Sequence, residues 1–199
     1  MNKQGLTYTV LFTFAVTFVF VLLLSLTNQA TNDLIERNEQ IDRQRAILQA
    51  MGLEVTAPEE VASRFEEVEQ TEVGGTSLFR ASFEGEQVYA KTFSGSGLWG
   101  TINGVLGVTS DLSALTGLSI ISHNETPGLG GRITEEWFQR QLEGQQVPQE
   151  QLLVTSGEGD YDYQNNEIDG ITGATRTSDS MEVILNREIT TLKNALGGS

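Results

Sequence analysis

The chain opens with an uncharged apolar run from Leu6 to Leu26, built mainly of Val, Leu and Phe, with Thr7, Thr9, Thr13, Thr17 and Ser25 between them. Coiled as a helix at ~1.5 Å per residue, the run spans about 31 Å, the thickness of a bilayer's hydrocarbon core. A cleaved signal peptide is the competing reading, with Lys3 as its basic end and Ala30 at the cut. The run is longer than an ordinary signal core, however, and no A-x-A pattern follows it. A retained transmembrane helix over 6–27, behind a short tail 1–5, is therefore expected, with the lipid bilayer as partner. Its hydroxyls are able to bond their own helix or a neighbouring one.

Beyond the anchor the pattern becomes amphipathic. Leu34, Ile41, Leu48 and Met51 fall on one stripe, which predicts a continuation helix over 31–51 closed by Gly52. Residues 28–56 thus form a connecting segment, and 57–199 a single domain. Pro58 starts a second helix, predicted over 58–70, with Val61, Phe65 and Val68 inward. Gly74-Gly75 breaks it. Across 77–122 the β-prone residues Leu78, Val88, Tyr89, Ile102, Val105 and Leu118–Ile121 alternate with glycine-rich turns. Gly95, Gly97, Gly100, Gly104 and Gly107 crowd this stretch, which predicts bulges or a close approach of backbone to something flat. A short helix is expected over 134–143, capped by Thr134, and a Gly/Asp/Asn-rich loop over 156–170. The last helix is predicted over Asp179–Leu196, with Asp179 and Glu182 as its capping pair and Met181, Ile184, Leu185, Ile189 and Leu192 as its buried face. The fold class is α+β: a mixed or antiparallel sheet with packed helices behind one N-terminal helix.

Composition narrows the chemistry. There is no cysteine, which removes disulfides, iron–sulfur ligation and thiol catalysis. His123 is the single histidine, so a site built from several imidazoles is excluded and no metal site is read. The net charge is −15 and every acid follows residue 27, a distribution that repels nucleic acid. Lys3 precedes the anchor while Arg37, Arg43 and Arg45 follow it. By positive charge alone, that count favours a cytoplasmic domain.

The stretch Asp169-Gly170-Ile171-Thr172-Gly173-Ala174-Thr175-Arg176-Thr177 stands just before a helix N-terminus. Free N–H groups and the positive end of the helix dipole welcome phosphate there. Gly173 and Ala174 admit a bulky group. The hydroxyls of Thr172, Thr175 and Thr177 are all candidate phosphoryl acceptors, and Arg176 supplies a countercharge. An ordinary Asp-Gly turn before a capped helix fits the same residues.

The string DGITGAT resembles the recognition motif of the bacterial flavin transferase, in which the last threonine, here Thr175, takes FMN as a phosphoester. His123 to Gly131 (HNETPGLGG) resembles the ETPGLG loop of the FMN-binding domain family, shared by the NqrC component of the Na+-translocating NADH:quinone oxidoreductase and the RnfG component of the Rnf complex. Gly97-Leu98-Trp99-Gly100, the RAILQAMGL stretch at 45–53 and the order of the motifs resemble NqrC.

The resemblance implies a flavoprotein that passes single electrons between redox centres of neighbouring subunits, during NADH oxidation coupled to ubiquinone reduction and sodium export. Such a chain acts as an enzyme only as one component of the translocase. Its implied partners are the other subunits and the flavin transferase, and its implied place is the bacterial inner membrane with the domain on the periplasmic side. The implied site is covalent FMN on Thr175, with Thr172, Gly173 and Ala174 giving room. Glu125 and Thr126 bond the ring edge, Pro127, Gly128, Leu129 and Gly130 cover its face, and Trp99 stacks on the ring or fills the core. Asp169 belongs to the transferase's recognition element, and Thr177 is the fallback acceptor. An Rnf-type component serving ferredoxin:NAD+ electron transfer and a membrane-anchored module without cofactor are the alternatives.

Overall fold

The structure, a computed structural model, describes residues 3–83, 85–157 and 162–197. Parts of the expected tail 1–5 and of the expected loop 156–170 lie outside the described residues. Two compact units divide near residue 40. Helix α1 (Lys3–Ala50) extends past that division, and its part in the first unit contains the stretch Gly5–Asn32, long and apolar enough to cross a membrane, with none of it buried. Thr9 and Thr27 donate to the carbonyls of Gly5 and Leu23, at 2.7 and 2.9 Å. These hydroxyls are thus satisfied within their own helix.

The second unit is built on a five-stranded antiparallel meander: β1 (Glu69–Val73), β2 (Thr76–Phe83), β3 (Glu86–Ser96), β4 (Thr101–Thr109) and β5 (Leu115–Ser122), in that spatial order. Alternation along β4 sends Ile102, Leu106 and Val108 to one face and Val105 to the other. The first face packs on α4 (Thr175–Leu196) through Met181, Ile184, Leu185, Ile189 and Leu192. The opposite face takes Ala46, Ile47, Ala50 and Met51 from the end of α1. Truncating a fully buried leucine such as Leu185 to alanine costs about 2–5 kcal/mol.

The crowded glycines lie at bulges and at close approaches, and the close neighbours are the protein's own atoms. Register shifts fall at Asn103/Gly104 and at Gly107/Val108. A Cβ on Gly107 would collide with the Ala50 carbonyl, which also accepts the Thr116 hydroxyl at 2.6 Å. A Cβ on Gly104 would strike the Phe93 ring, and one on Gly95 the Ile184 side chain.

Several boundaries move. Helix α2 (Pro58–Phe65) stops where it does because the chain must turn to enter β1, a polar edge strand without periodic apolar residues. The 134–143 helix resolves into a 3₁₀ turn (Gly130–Thr134) and a short α3 (Glu136–Arg140), and Thr134 bonds the Gly131 carbonyl instead of capping a helix. The expected 156–170 loop gives way at both ends to a parallel pair, β6 (Leu153–Ser156) and β7 (Glu167–Gly170). Helix α4 starts at Thr175, not Asp179, because Glu182 is used elsewhere: its Oε2 accepts the Val154 N–H of β6 at 2.7 Å. Asn186 likewise accepts the Leu152 N–H and donates to the Leu152 carbonyl, both at 2.8 Å. The final helix therefore carries the parallel pair that leads into the DGITGAT segment.

Candidate functional site

Three segments meet at the N-terminal end of α4. The first is the turn between β3 and β4, closed by the Gly97 N–H on the Gly100 carbonyl at 2.7 Å. The second is the loop 123–131, in which the Thr126 carbonyl accepts the N–H groups of Leu129 and Gly131 at 3.1 and 3.0 Å. The third is the loop 171–174. Its Gly173 has φ +81°, a left-handed conformation that suits glycine, and a Cβ there would stand 3.6 Å from Leu129 Cδ2.

The three threonines separate by environment. Thr175 is exposed in the first turn of α4, where the Ala174 carbonyl takes the Thr177 and Ser178 N–H groups and those of Thr175 and Arg176 have no earlier helical carbonyl. Thr172 is exposed in the loop. Thr177 is buried, and its hydroxyl donates to Glu125 Oε2 at 2.6 Å. Arg176 is exposed beside Thr175.

Glu125, expected to bond a ring edge, is buried instead, with both oxygens taken by the chain. Oε1 accepts the Trp99 N–H at 3.0 Å, and Oε2 accepts Thr177. Thr126, Pro127 and Gly128 are exposed, and no atom stands within 4 Å of a Cβ built on Gly128 (φ +74°). Gly130 is buried against the Glu125–Thr177 pair, where a Cβ would collide with the Thr177 hydroxyl. Of the two possibilities for Trp99, core filling fails: the side chain is 69% exposed, next to Leu98 at 45%, and Leu129 is 46% exposed. His123 Nδ1 accepts the Glu125 N–H at 3.1 Å.

Sequence reading overlooked two holders of the 169–174 segment. Ser178 accepts the Ile171 N–H at 2.9 Å and donates to the Ala174 carbonyl at 3.2 Å. Its position four residues after Ala174, where a hydroxyl can bond back along the helix, was the available signal. Gln141, fully buried, bonds the Asp169 backbone; one of several glutamines after a short helix carries no comparable signal.

The residues fit a flavin mononucleotide. An exposed threonine at a helix N-terminus, beside an arginine and a left-handed glycine, suits a phosphate group. An exposed tryptophan and two exposed leucines suit a flat aromatic ring. The site and the fold are those of an α+β flavin-binding domain behind an apolar helix.

Comparisons with known proteins agree. Residues 97–190 match the FMN-binding domain family. The chain is 30% identical over 190 residues to the RnfG-type component of the Na+-translocating ferredoxin:NAD+ oxidoreductase complex of Acetobacterium woodii, covering 91% of this chain and 88% of that one. It is 34% identical over 97 residues to the NqrC component of the Na+-translocating NADH-quinone reductase of Pseudomonas aeruginosa, covering 46% of this chain and 37% of that protein. The crystal structure of the corresponding NADH-quinone reductase component from Parabacteroides distasonis shares the fold, with a TM-score of 0.70 at 23% identity, over 83% of this chain and 96% of that one. The chain belongs to the FMN-binding domain family that includes these proteins, and is an electron-transport subunit of that kind.

Proposed function

We propose that the chain carries FMN as a phosphoester on Thr175 and passes single electrons within a membrane Na+-translocating NADH:quinone oxidoreductase. The observation that carries this reading is the contrast between Thr175, exposed at the start of α4, and Thr177, whose hydroxyl is buried on Glu125. Bound FMN supplies reversible one- and two-electron chemistry, and linkage through its phosphate leaves the ring unmodified. The chain's own residues bind and orient it. The first-turn N–H groups and Arg176 offset the phosphate charge. Gly173 and Ala174 leave room, with Thr172 beside them. Leu98, Trp99 and Leu129 offer the ring an apolar surface, and the exposed Thr126–Gly128 segment faces its edge.

A flavin transferase that reads Asp169 and the following residues would load the cofactor on the periplasmic side of the inner membrane, with 6–27 as anchor and the unit from Ile41 onward, which takes in the end of the expected 28–56 connector, as the loaded domain. NADH and quinone would be handled by other subunits, and sodium movement by the complex as a whole. The match to the ferredoxin:NAD+ oxidoreductase component, over 91% of this chain, keeps a second reading beside it, in which the partners are those of an Rnf-type complex. Flavin fluorescence that survives denaturing electrophoresis tests the covalent link, and its absence would defeat it. The subunits that co-purify decide between the two complexes.

A further inference from the structure

Glu125 joins the 97–100 turn and the 123–131 loop to the first turn of α4. One carboxylate oxygen accepts the Trp99 N–H and the other accepts the Thr177 hydroxyl. A Cβ on Gly97 or on Gly130 would collide with that carboxylate, so both glycines are shaped around it. Glu125 is only 4% exposed, and both of these donors are neutral. Burying an acid on neutral donors is costly compared with an amide or apolar residue of similar volume, so plain packing gives no reason for it.

We propose that Glu125 is a positioning residue for the flavin, setting Trp99 and the Thr126–Gly130 loop at a fixed place relative to Thr175. This rests on the reading of Thr175 as the FMN-bearing residue. A phosphate tether fixes one end of the cofactor and leaves the rotatable ribityl chain free, so attachment alone does not orient the ring. Trp99 is too exposed to be held by packing on its side chain; its bonded backbone N–H is the anchor that the structure shows. Thr177 stands two residues from Thr175 on the same helix. Glu125 therefore links the residues facing the ring to the helix bearing the tether, through two direct hydrogen bonds.

The test uses the full chain in detergent, produced with its flavin transferase, as wild type, Glu125→Ala, Glu125→Gln and Thr177→Val. Covalent loading is read by in-gel fluorescence, and ring mobility by flavin fluorescence anisotropy and iodide quenching. Glu125→Ala is expected to load fully while its anisotropy falls by roughly half, because an unheld ring moves on the ps–ns scale. Iodide quenching should rise with it. Thr177→Val should move both readouts in the same direction. Glu125→Gln should stay near wild type, since its amide can accept from Trp99 and donate to the Thr177 oxygen.

Loaded Glu125→Ala protein with wild-type anisotropy and quenching would overturn the proposal. If that variant does not fold, the same result with Thr177→Val overturns it. A folded Glu125→Ala chain without flavin would also overturn it, by assigning Glu125 to the loading reaction. A wild-type chain without covalent flavin removes the reading of Thr175 itself, and is seen before any Glu125 variant is measured.

Discussion

Gln141 holds the backbone of Asp169 from both sides: its Nε2 donates to the Asp169 carbonyl at 3.1 Å, and its Oε1 accepts the Asp169 N–H at 2.7 Å. The DGITGAT segment therefore leaves β7 from a fixed point. Gln141→Ala removes both bonds and a buried side chain. A loss of about 2–4 kcal/mol is expected, from broken hydrogen bonds plus the cavity. Chemical denaturation measures it, and an unchanged midpoint would count against the clamp.

The contrast between two threonines gives a paired test. Thr175→Ala alters an exposed side chain, so stability should stay within ~0.5 kcal/mol while covalent FMN is lost. Thr177→Ala should do the reverse. FMN stays, and stability falls by about 1.5–3 kcal/mol, the range for a buried hydrogen bond to a charged group. Thermal melts and the mass of the flavin-bearing tryptic peptide read both. An FMN-sized mass persisting in Thr175→Ala would move the attachment elsewhere.

Asp169 is a half-buried strand residue whose carboxylate lies against Gly157, rather than a residue of an open turn. Asp169→Ala is expected to block flavin loading in cells while costing about 1 kcal/mol or less, since the Gln141 clamp grips the backbone and survives. Loading to the wild-type level would remove its role in recognition.

How far the sequence carried depended on whether an element's reason was local. The apolar helix, the strands within 77–122 and the buried face of α4 follow from hydrophobic period and were legible; the meander order and its first strand were not. The parallel pair was not, because β6 is held by Glu182 and Asn186, some 30 residues away, and such four-residue strands carry no period of their own. That distant use of Glu182 also undid the capping pair read at Asp179. At the site, the motif pointed to Thr175, but nothing local separated Thr177 from it. Only the burial of Glu125, which comes from another segment, does so.

A pH effect follows from the β4–β5 turn. Hydroxyls of Thr109 and then Ser113, each at 2.7 Å, with the Ser113 N–H at 3.0 Å, hold the Asp111 carboxyl down at about 2, from an ordinary 3.8. A depressed acid stabilises the fold fully above its ordinary value, and that stabilisation is lost as pH falls through about 2. Ser113→Ala should raise the Asp111 pKa and move the loss to higher pH. NMR titration of the Asp111 carboxyl reads the shift, and an unmoved curve would show that Thr109 alone suffices.

Sidedness can be checked directly. Arg37, Arg43 and Arg45 favour the cytoplasm by number, but Glu36, Glu39 and Asp42 lie among them, and Arg45 already pairs with Asp42. Residues 28–199 are expected on the outer side. Protease added to right-side-out spheroplasts should digest them; digestion only in inverted vesicles would put the domain inside and leave its flavin loading without an explanation.

An FMN phosphoester on the exposed Thr175, as proposed, would change what the neighbouring surface has to accomplish. A cofactor that is free to leave must be retained by affinity, which calls for a deep, enclosing pocket. One tied down by its phosphate stays at a local concentration on the order of millimolar, however weak its other contacts. Leu98, Trp99 and Leu129 are then relieved of retention and have only an orientation to choose. A shallow seat is sufficient for that, and a shallow seat leaves the ring's edge within reach of whatever delivers or collects the electron.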